Sequence, residues 1–260
     1  MKKLMLSVIL LFANSASALE FTYTSRFADG SVFDGIANQL TISGVIVQGD
    51  AQRFADFVNQ SPKDAWIALK RVRLDSPGGD VLEAMKLAEI LHGLYPSMWV
   101  TRGKRCASSC LLLWLAGSSR GFDNGGQVGI HRPTFTPEYL RKLTLKESEK
   151  QYEIMSNTFR AFVLKQGLPQ SLYEKLIATP STSLYWLNDS DMQLIGTYSP
   201  YYEEKLRNTC GPLGNGREHE FRKCESSLTI RSKAKEFDRI VGSSGNLWWM
   251  KARESFLGRE

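Results

Sequence analysis

Several things are scarce in this 260-residue chain, and each scarcity narrows what it does. There are three histidines and four cysteines. The cysteines lack the close CxxC pairs that zinc sites use, so no metal is expected. A nucleotide-binding motif is missing, and no cofactor is expected. No internal repeat is evident, which excludes a solenoid. The apolar run near the N-terminus, Leu4 to Phe12, is far shorter than the about 20 residues a membrane-spanning helix needs. No cysteine follows it closely, so a lipid-anchored form is not indicated. Concentrated basic charge is also lacking. Arg71 and Arg73 lie near Asp75, and Lys142 and Lys146 near Glu147 and Glu149, an ordinary solvated mixture that carries no nucleic-acid footprint.

What is present begins with Lys2 and Lys3, the short apolar run, and Ala16-Ser17-Ala18. A basic start, a short hydrophobic segment and small residues before a cleavage point make a secretory signal peptide over residues 1–18, with the mature chain starting at Leu19. The protein is therefore expected to be exported, to a bacterial periplasm or beyond, and to meet a membrane only through an uncleaved signal peptide. The formal charge of +6 falls to about +4 once Lys2 and Lys3 leave, by subtraction. The remaining length suits one large domain, 19–200, with a small appendage, 201–260. The appendage is more basic, through Arg217, Arg222, Lys223, Arg231, Lys233 and Lys235.

Cysteines in an exported protein can pair. Cys210 and Cys224 bracket a loop of glycine, proline and asparagine, and a disulfide closing it is the favoured reading. Cys106 and Cys110 could also pair, but packing as small buried residues is slightly preferred.

Along the chain, Phe21 to Ser25 and Gln39 to Val47 read as strands. A helix follows from Asp50 to about Asn59, then a strand from Trp66 to Leu74, and an amphipathic helix carrying Val81, Met85, Ala88, Leu91 and Leu94. Met98 to Thr101 is a short strand, Gly103-Lys104-Arg105 a turn, and Ala107 to Ala116 an apolar helix that belongs inside the domain. Gln127 to His131 is strand-like. Thr136-Pro137-Glu138 starts a helix running to about Lys165. Further helices are expected at Gln170 to Ala178 and Asp189 to Ile195. Beyond Tyr201 the pattern loses regularity, apart from a helix near Ser232 to Val241 and the bulky Trp248-Trp249-Met250. The alternation of strands and helices argues an α/β fold with largely parallel pairing.

Three motifs carry chemistry when taken in order. Asp75-Ser76-Pro77-Gly78-Gly79 ends a strand, and glycine there lets a backbone N–H approach a carbonyl closely. Cys106-Ala107-Ser108-Ser109-Cys110 sets a serine at a helix start, near unsatisfied N–H groups. Gly129-Ile130-His131-Arg132-Pro133 sets a histidine at another strand end, suited to moving a proton. Ser108 is the candidate nucleophile, His131 the base, and the N–H groups of Gly78, Gly79 and Ser109 the oxyanion donors. Alone, a Ser-Ser pair is more often a helix cap, Ser-Pro-Gly-Gly a plain turn, and a lone histidine structural. His92 and His219 are read as structural or solvated.

These residues, within a stretch from about Gln39 to Ser199, resemble the ClpP/crotonase superfamily, most closely the Clp protease proteolytic subunit. Ser76-Pro77-Gly78-Gly79 resembles its oxyanion turn, Ala107-Ser108-Ser109 its Ala-Ser-Met nucleophile turn, and Ile130-His131-Arg132-Pro133 its Ile-His-Gln-Pro. Leu184-Tyr185-Trp186-Leu187-Asn188 through Leu194-Ile195-Gly196 is similar to a later segment of the family. The resemblance implies a ClpP/crotonase-like stacked ββα spiral, serine peptidase chemistry on exposed or unfolded polypeptide, and a homo-oligomer.

The family's third triad member, an aspartate, would fall near Ser183 or Leu184, and Ser181-Thr182-Ser183 holds no carboxylate. Asp189 and Asp191 are nearest and fit helix capping better. The site is then a dyad, uses a hydroxyl to orient His131, or is inactive. The alternatives from other classes are a non-catalytic binding or assembly module and, last, a crotonase-type enzyme acting on an acyl thioester. A Ser–Lys dyad is also open, with no lysine nominated.

Overall fold

The computed structural model describes residues 18–25, 38–61, 69, 71–135, 137–212 and 217–242. Residues 1–17 of the signal peptide expected over 1–18, the Trp248-Trp249-Met250 cluster, and the first residues of the strand expected from Trp66 lie outside them. Two strands open the described chain, β1 (Glu20–Ser25) and β2 (Asn38–Ile46), paired antiparallel. Helix α1 (Asp50–Gln60) buries Phe54 and Val58 on one face. Its N-terminal amides are held from afar: buried Glu83 accepts from Gly49 N at 3.1 Å and from Ala51 N at 2.9 Å.

Strand β3 (Arg71–Gly79) alternates half-buried and buried positions and is the pivot of the fold. It pairs parallel to β2 along its length. Its first half, Arg71 to Arg73, also pairs with β4 (Ser97–Val100), whereas Ser76 pairs with Cys106 of β5 (Arg105–Ala107). The sheet therefore forks. One branch continues from β4 to β6 (Ser119–Phe122), the other from β5 to β7 (Gln127–Ile130), all parallel. Each β4–β5 and β6–β7 pair sends one strand into each branch. A two-residue strand, β8 (Tyr185–Trp186), closes the second branch antiparallel. This is an α/β architecture with mainly parallel pairing, as the alternation predicts.

Helix α2 (Val81–Gly93) starts at Asp80, whose carboxylate accepts from Glu83 N at 2.8 Å. Helix α3 (Cys110–Leu115) is buried at every position. Several elements differ from the sequence expectation. The strand does not stop at Asp75 but runs through Gly79, because β2 offers partners as far as Ile46. Arg105 belongs to β5 rather than to a turn. The long helix expected from Thr136 divides into α4 (Pro137–Leu140) and α5 (Leu145–Lys165). Thr144 and Glu147 form a reciprocal capping box that starts α5 afresh.

Helices α6 (Gln170–Ala178) and α7 (Asp189–Ile195) match their expected spans. Beyond Ser199 the chain is more regular than its pattern suggests: α8 (Pro200–Cys210) and α9 (Glu218–Gly242) pair around Tyr202, Leu206, Phe221 and Leu228. Their apolar positions are few, which hides the helices from a periodicity reading. Tyr95 links them to the main body, accepting from Lys205 Nζ at 3.0 Å, while the His92 ring packs tilted against Tyr201, their centroids 4.0 Å apart.

Cys210 and Cys224 are disulfide-bonded, as favoured. Cys106 and Cys110 are bonded too, which corrects the preference for simple packing. The chain turns back on itself between them, bringing their Cα atoms to 5.2 Å, within reach of a disulfide. Two disulfides are compatible with an extracellular location. Among the described residues no helix is long and apolar enough to cross a membrane.

Candidate active site

The site forms where β3, β5 and β7 end side by side. Ala107 of β5 lies opposite Gly129 of β7, and the next rung is a bond from Ser108 N to Gly129 O, 2.9 Å. His131 follows two residues after Gly129. The two strand ends thus deliver the serine and the histidine to the same edge, although 22 residues separate Gly129 from Ala107 in sequence.

Ser108 sits before the helix rather than in its first turn, in the left-handed region at φ 56°. A residue with a Cβ adopts that conformation at a cost of about 1–2 kcal/mol. Helix α3 begins only at Cys110, with Ser109 as its cap. The elbow leaves Ser108 half-buried while Ser109 is buried at 2% exposure. The Ser109 hydroxyl is committed to Gly79 O at 3.1 Å. Of the two serines, Ser108 is the one whose Oγ is left for chemistry.

Gly78 presses against this elbow. A Cβ on it would lie 2.6 Å from Ala107 O, 2.7 Å from Ser108 Cβ and 3.0 Å from Ser109 N, so glycine alone permits the approach. Its φ of 96° is a second reason for glycine. The structure therefore gathers Gly78, Gly79, Ser108 and Ser109 into one cluster. The donors are not equivalent. Gly78 N–H is already held by the Ser76 hydroxyl at 3.1 Å. Ser109 N–H has no backbone acceptor among the described residues.

His131 is half-buried, and its Nδ1 lies 2.8 Å from the carbonyl oxygen of Arg132. A carbonyl can only accept, so this contact places the ring proton on Nδ1 and leaves a lone pair on Nε2. No hydrogen bond joins Ser108 to His131 among the described residues. Pairing of β7 with β8, Gly129 with Trp186 and Ile130 with Tyr185, brings the segment before Tyr185 toward the end of β7 that His131 follows. Asp191 is otherwise engaged, accepting from Tyr185 OH at 2.8 Å and capping α7 through Asn188 N at 3.0 Å. Asp189 lies in the first turn of the same helix. Asp191 thus serves the helix cap, and Asp189 adds negative charge to the same N-terminal turn.

Two participants escaped the sequence reading, the Arg132 carbonyl and the Ser76 hydroxyl, and a third, the Cys106–Cys110 bond, was weighed there but ranked below simple packing. A main-chain oxygen has no signature in sequence, whereas the two cysteines flanking Ser108 were a visible signal. No group of three or more metal-ligating side chains occurs among the described residues.

No protein-family model matches the chain, and no curated protein matches it. Among solved structures it is similar to a mutant ClpP1 from Listeria monocytogenes, at 16% identity and a TM-score of 0.43, covering 62% of this chain and 88% of that one. It is also similar to a mutant of the membrane-bound stomatin-specific protease 1510-N, at 15% identity and a TM-score of 0.41, covering 66% of this chain and 83% of that one. Similarities of this size assign no residue a role here, and the chemistry rests on the geometry above.

Proposed function

We propose that this protein is an exported serine hydrolase that cleaves exposed or unfolded polypeptide, with Ser108 as nucleophile and His131 as general base. The observation that carries the reading is the strained Ser108 elbow, held against Gly78 with its neighbour's hydroxyl tied away. Backbone strain of this kind concentrates where geometry serves chemistry.

In this reading His131 Nε2 takes the Ser108 proton as Oγ attacks the scissile carbonyl carbon. Ser109 N–H and Gly79 N–H receive the oxyanion, and Gly78 N–H joins them once it leaves Ser76 Oγ. His131 then protonates the departing amine, and a water molecule repeats the sequence on the acyl-enzyme. The Arg132 carbonyl holds the ring in the productive tautomer. It carries no full charge to stabilise the imidazolium, so turnover is slow beside a complete triad, where loss of the acid costs about 10⁴ in rate. The hydrogen bond from Ser108 to His131 forms in the substrate complex. Homo-oligomer assembly and a signal peptide over residues 1–18 belong to the same proposal.

A fluorophosphonate probe tests the reading, with the adduct located by mass spectrometry. Labelling is expected at Ser108, abolished in Ser108→Ala and His131→Ala with the fold intact, and retained in Ser109→Ala. Absence of labelling in folded, oxidised protein sinks it. The second reading, a binding module that keeps the fold, is favoured by the lack of a carboxylate in Ser181-Thr182-Ser183, where the family resemblance sets the orienting acid. Polypeptide capture that survives Ser108→Ala without any labelling supports that alternative.

A further inference from the structure

We infer that the Cys106–Cys110 disulfide positions the nucleophile, so that the Ser108 site works only while this bond is oxidised; the inference rests on the hydrolase reading. The bond joins the middle residue of β5 to the first residue of α3, with Ser108 between them. Its two anchor residues are fully buried, Cys106 in the sheet branch that also carries His131 and Cys110 in the helix whose cap is Ser109. It therefore ties the strand, the elbow and the helix start into one small ring.

Its sequence separation is 4, against 14 for Cys210–Cys224. Closing so short a loop constrains the unfolded chain less, by about 2 kcal/mol against about 3 in the chain-entropy account, so general stabilisation is the weaker reason for the bond. Local constraint is a better one. Ser108 occupies a left-handed conformation that a serine does not choose alone, and the other holds on the elbow are noncovalent: Ser108 N–H on Gly129 O, Leu111 N–H on Ser108 O, the Ser109 hydroxyl on Gly79 O and the approach of Gly78. The disulfide adds the one covalent constraint among these. Released from it, the elbow relaxes toward ordinary backbone, moving Ser108 Oγ and the Ser109 N–H together.

Reduction is balanced simply. A dithiol gives two electrons and two protons, the Sγ–Sγ bond breaks into two thiols, and the dithiol closes to its own disulfide.

The test compares full-length oxidised protein with Cys106→Ala/Cys110→Ala and with dithiothreitol-reduced wild type. Cys210→Ala/Cys224→Ala serves as the control. Two quantities are measured: fluorophosphonate inactivation, resolved into its maximal rate and half-saturating probe concentration, and amide exchange across residues 105–115. Removal of the bond is expected to lower the maximal rate by about 10²-fold with little change in half-saturation. Elbow amides should exchange roughly tenfold faster or more, and reoxidation of the reduced protein should restore both. The control pair should change neither. Unchanged elbow exchange overturns the inference whatever the probe does. Loss of the whole fold in both the variant and the reduced protein overturns it too, since the bond would then hold the domain and not the elbow. If oxidised wild type is not labelled, the hydrolase reading fails, and with it the catalytic part of the inference.

Discussion

A Cβ is what makes Ser108 expensive and Gly78 indispensable. The serine carries one in a left-handed backbone at φ 56°, while the glycine opposite must carry none. Gly78→Ala would drive a methyl into Ala107 O and Ser108 Cβ, atoms that belong to a buried and covalently closed elbow. We expect a loss of about 2 kcal/mol of stability, from overpacking and backbone strain together. Ser108 labelling should fall much further than the melting temperature suggests. Gly103→Ala is the control, because φ there is also positive, at 74°, but nothing lies within 4 Å of the added carbon. Thermal melts and probe kinetics on both variants separate strain in general from strain at the site. Equal labelling by the two would show that Gly78 does not shape the elbow.

Helix α3, with six residues, is far too short to be stable by itself, and its environment holds it. Every residue is buried, and its last carbonyl, Leu115 O, accepts from Arg120 at 3.2 Å. The same guanidinium donates to Gln166 O at 2.6 Å and Ile195 O at 3.3 Å, so the C-terminal ends of α3, α5 and α7 share one cation. Burial lowers the Arg120 pKa to about 10, which leaves it charged at neutral pH, with the sign that suits helix C-termini. Glu89 on α2 is the opposite case. Burial raises its carboxyl to about 7 from an ordinary 4.5, against a weaker pull from Lys165. Between those two values the folded protein binds more protons than the unfolded chain. Stability therefore falls as pH rises from about 4.5 through 7, by something on the order of 2 kcal/mol. Glu89→Gln removes that penalty. Its melting temperature should exceed wild type by roughly 4–8 °C at pH 8 and match it near pH 4.5. A pH-independent difference would place the cause elsewhere.

At the scale of the molecule, two apolar clusters of very different size share the chain. The larger fills the α/β body, and the smaller consists of Tyr202, Leu206, Phe221 and Leu228 between α8 and α9. Four buried side chains offset little of the entropy of ordering two helices. The Cys210–Cys224 bond, of sequence separation 14, supplies about 3 kcal/mol in the chain-entropy account. Cys210→Ala/Cys224→Ala should therefore give calorimetry a separate early transition from α8 and α9. The main transition and Ser108 labelling should be unchanged. A single transition lowered as a whole would show that the helices and the body unfold together.

Local chemistry made much of this legible in advance. Val81, Met85, Ala88 and Leu91 announced α2, and glycines at strand ends beside Ser108 and His131 marked the site, because side-chain periodicity and backbone freedom are written residue by residue. Other features depended on distant partners. Strand β6, Ser119 to Phe122, has no alternation to announce it and forms because β4 presents an open edge. Whether Cys106 and Cys110 bond depended on the turn at Ser108, which brings their Cα atoms to 5.2 Å. The absence of a carboxylate from residues 181–183 was visible in the sequence. That a main-chain oxygen of Arg132 meets His131 instead was not, since every residue carries such an oxygen. The sequence by itself determined which side chains could react and those helices and strands that their own spacing marks, α2 among them, since these follow from composition and short-range pattern. Only the tertiary structure decided which groups meet, because strand register, the fork at β3 and the closing of the elbow are set by contacts between residues far apart in the chain.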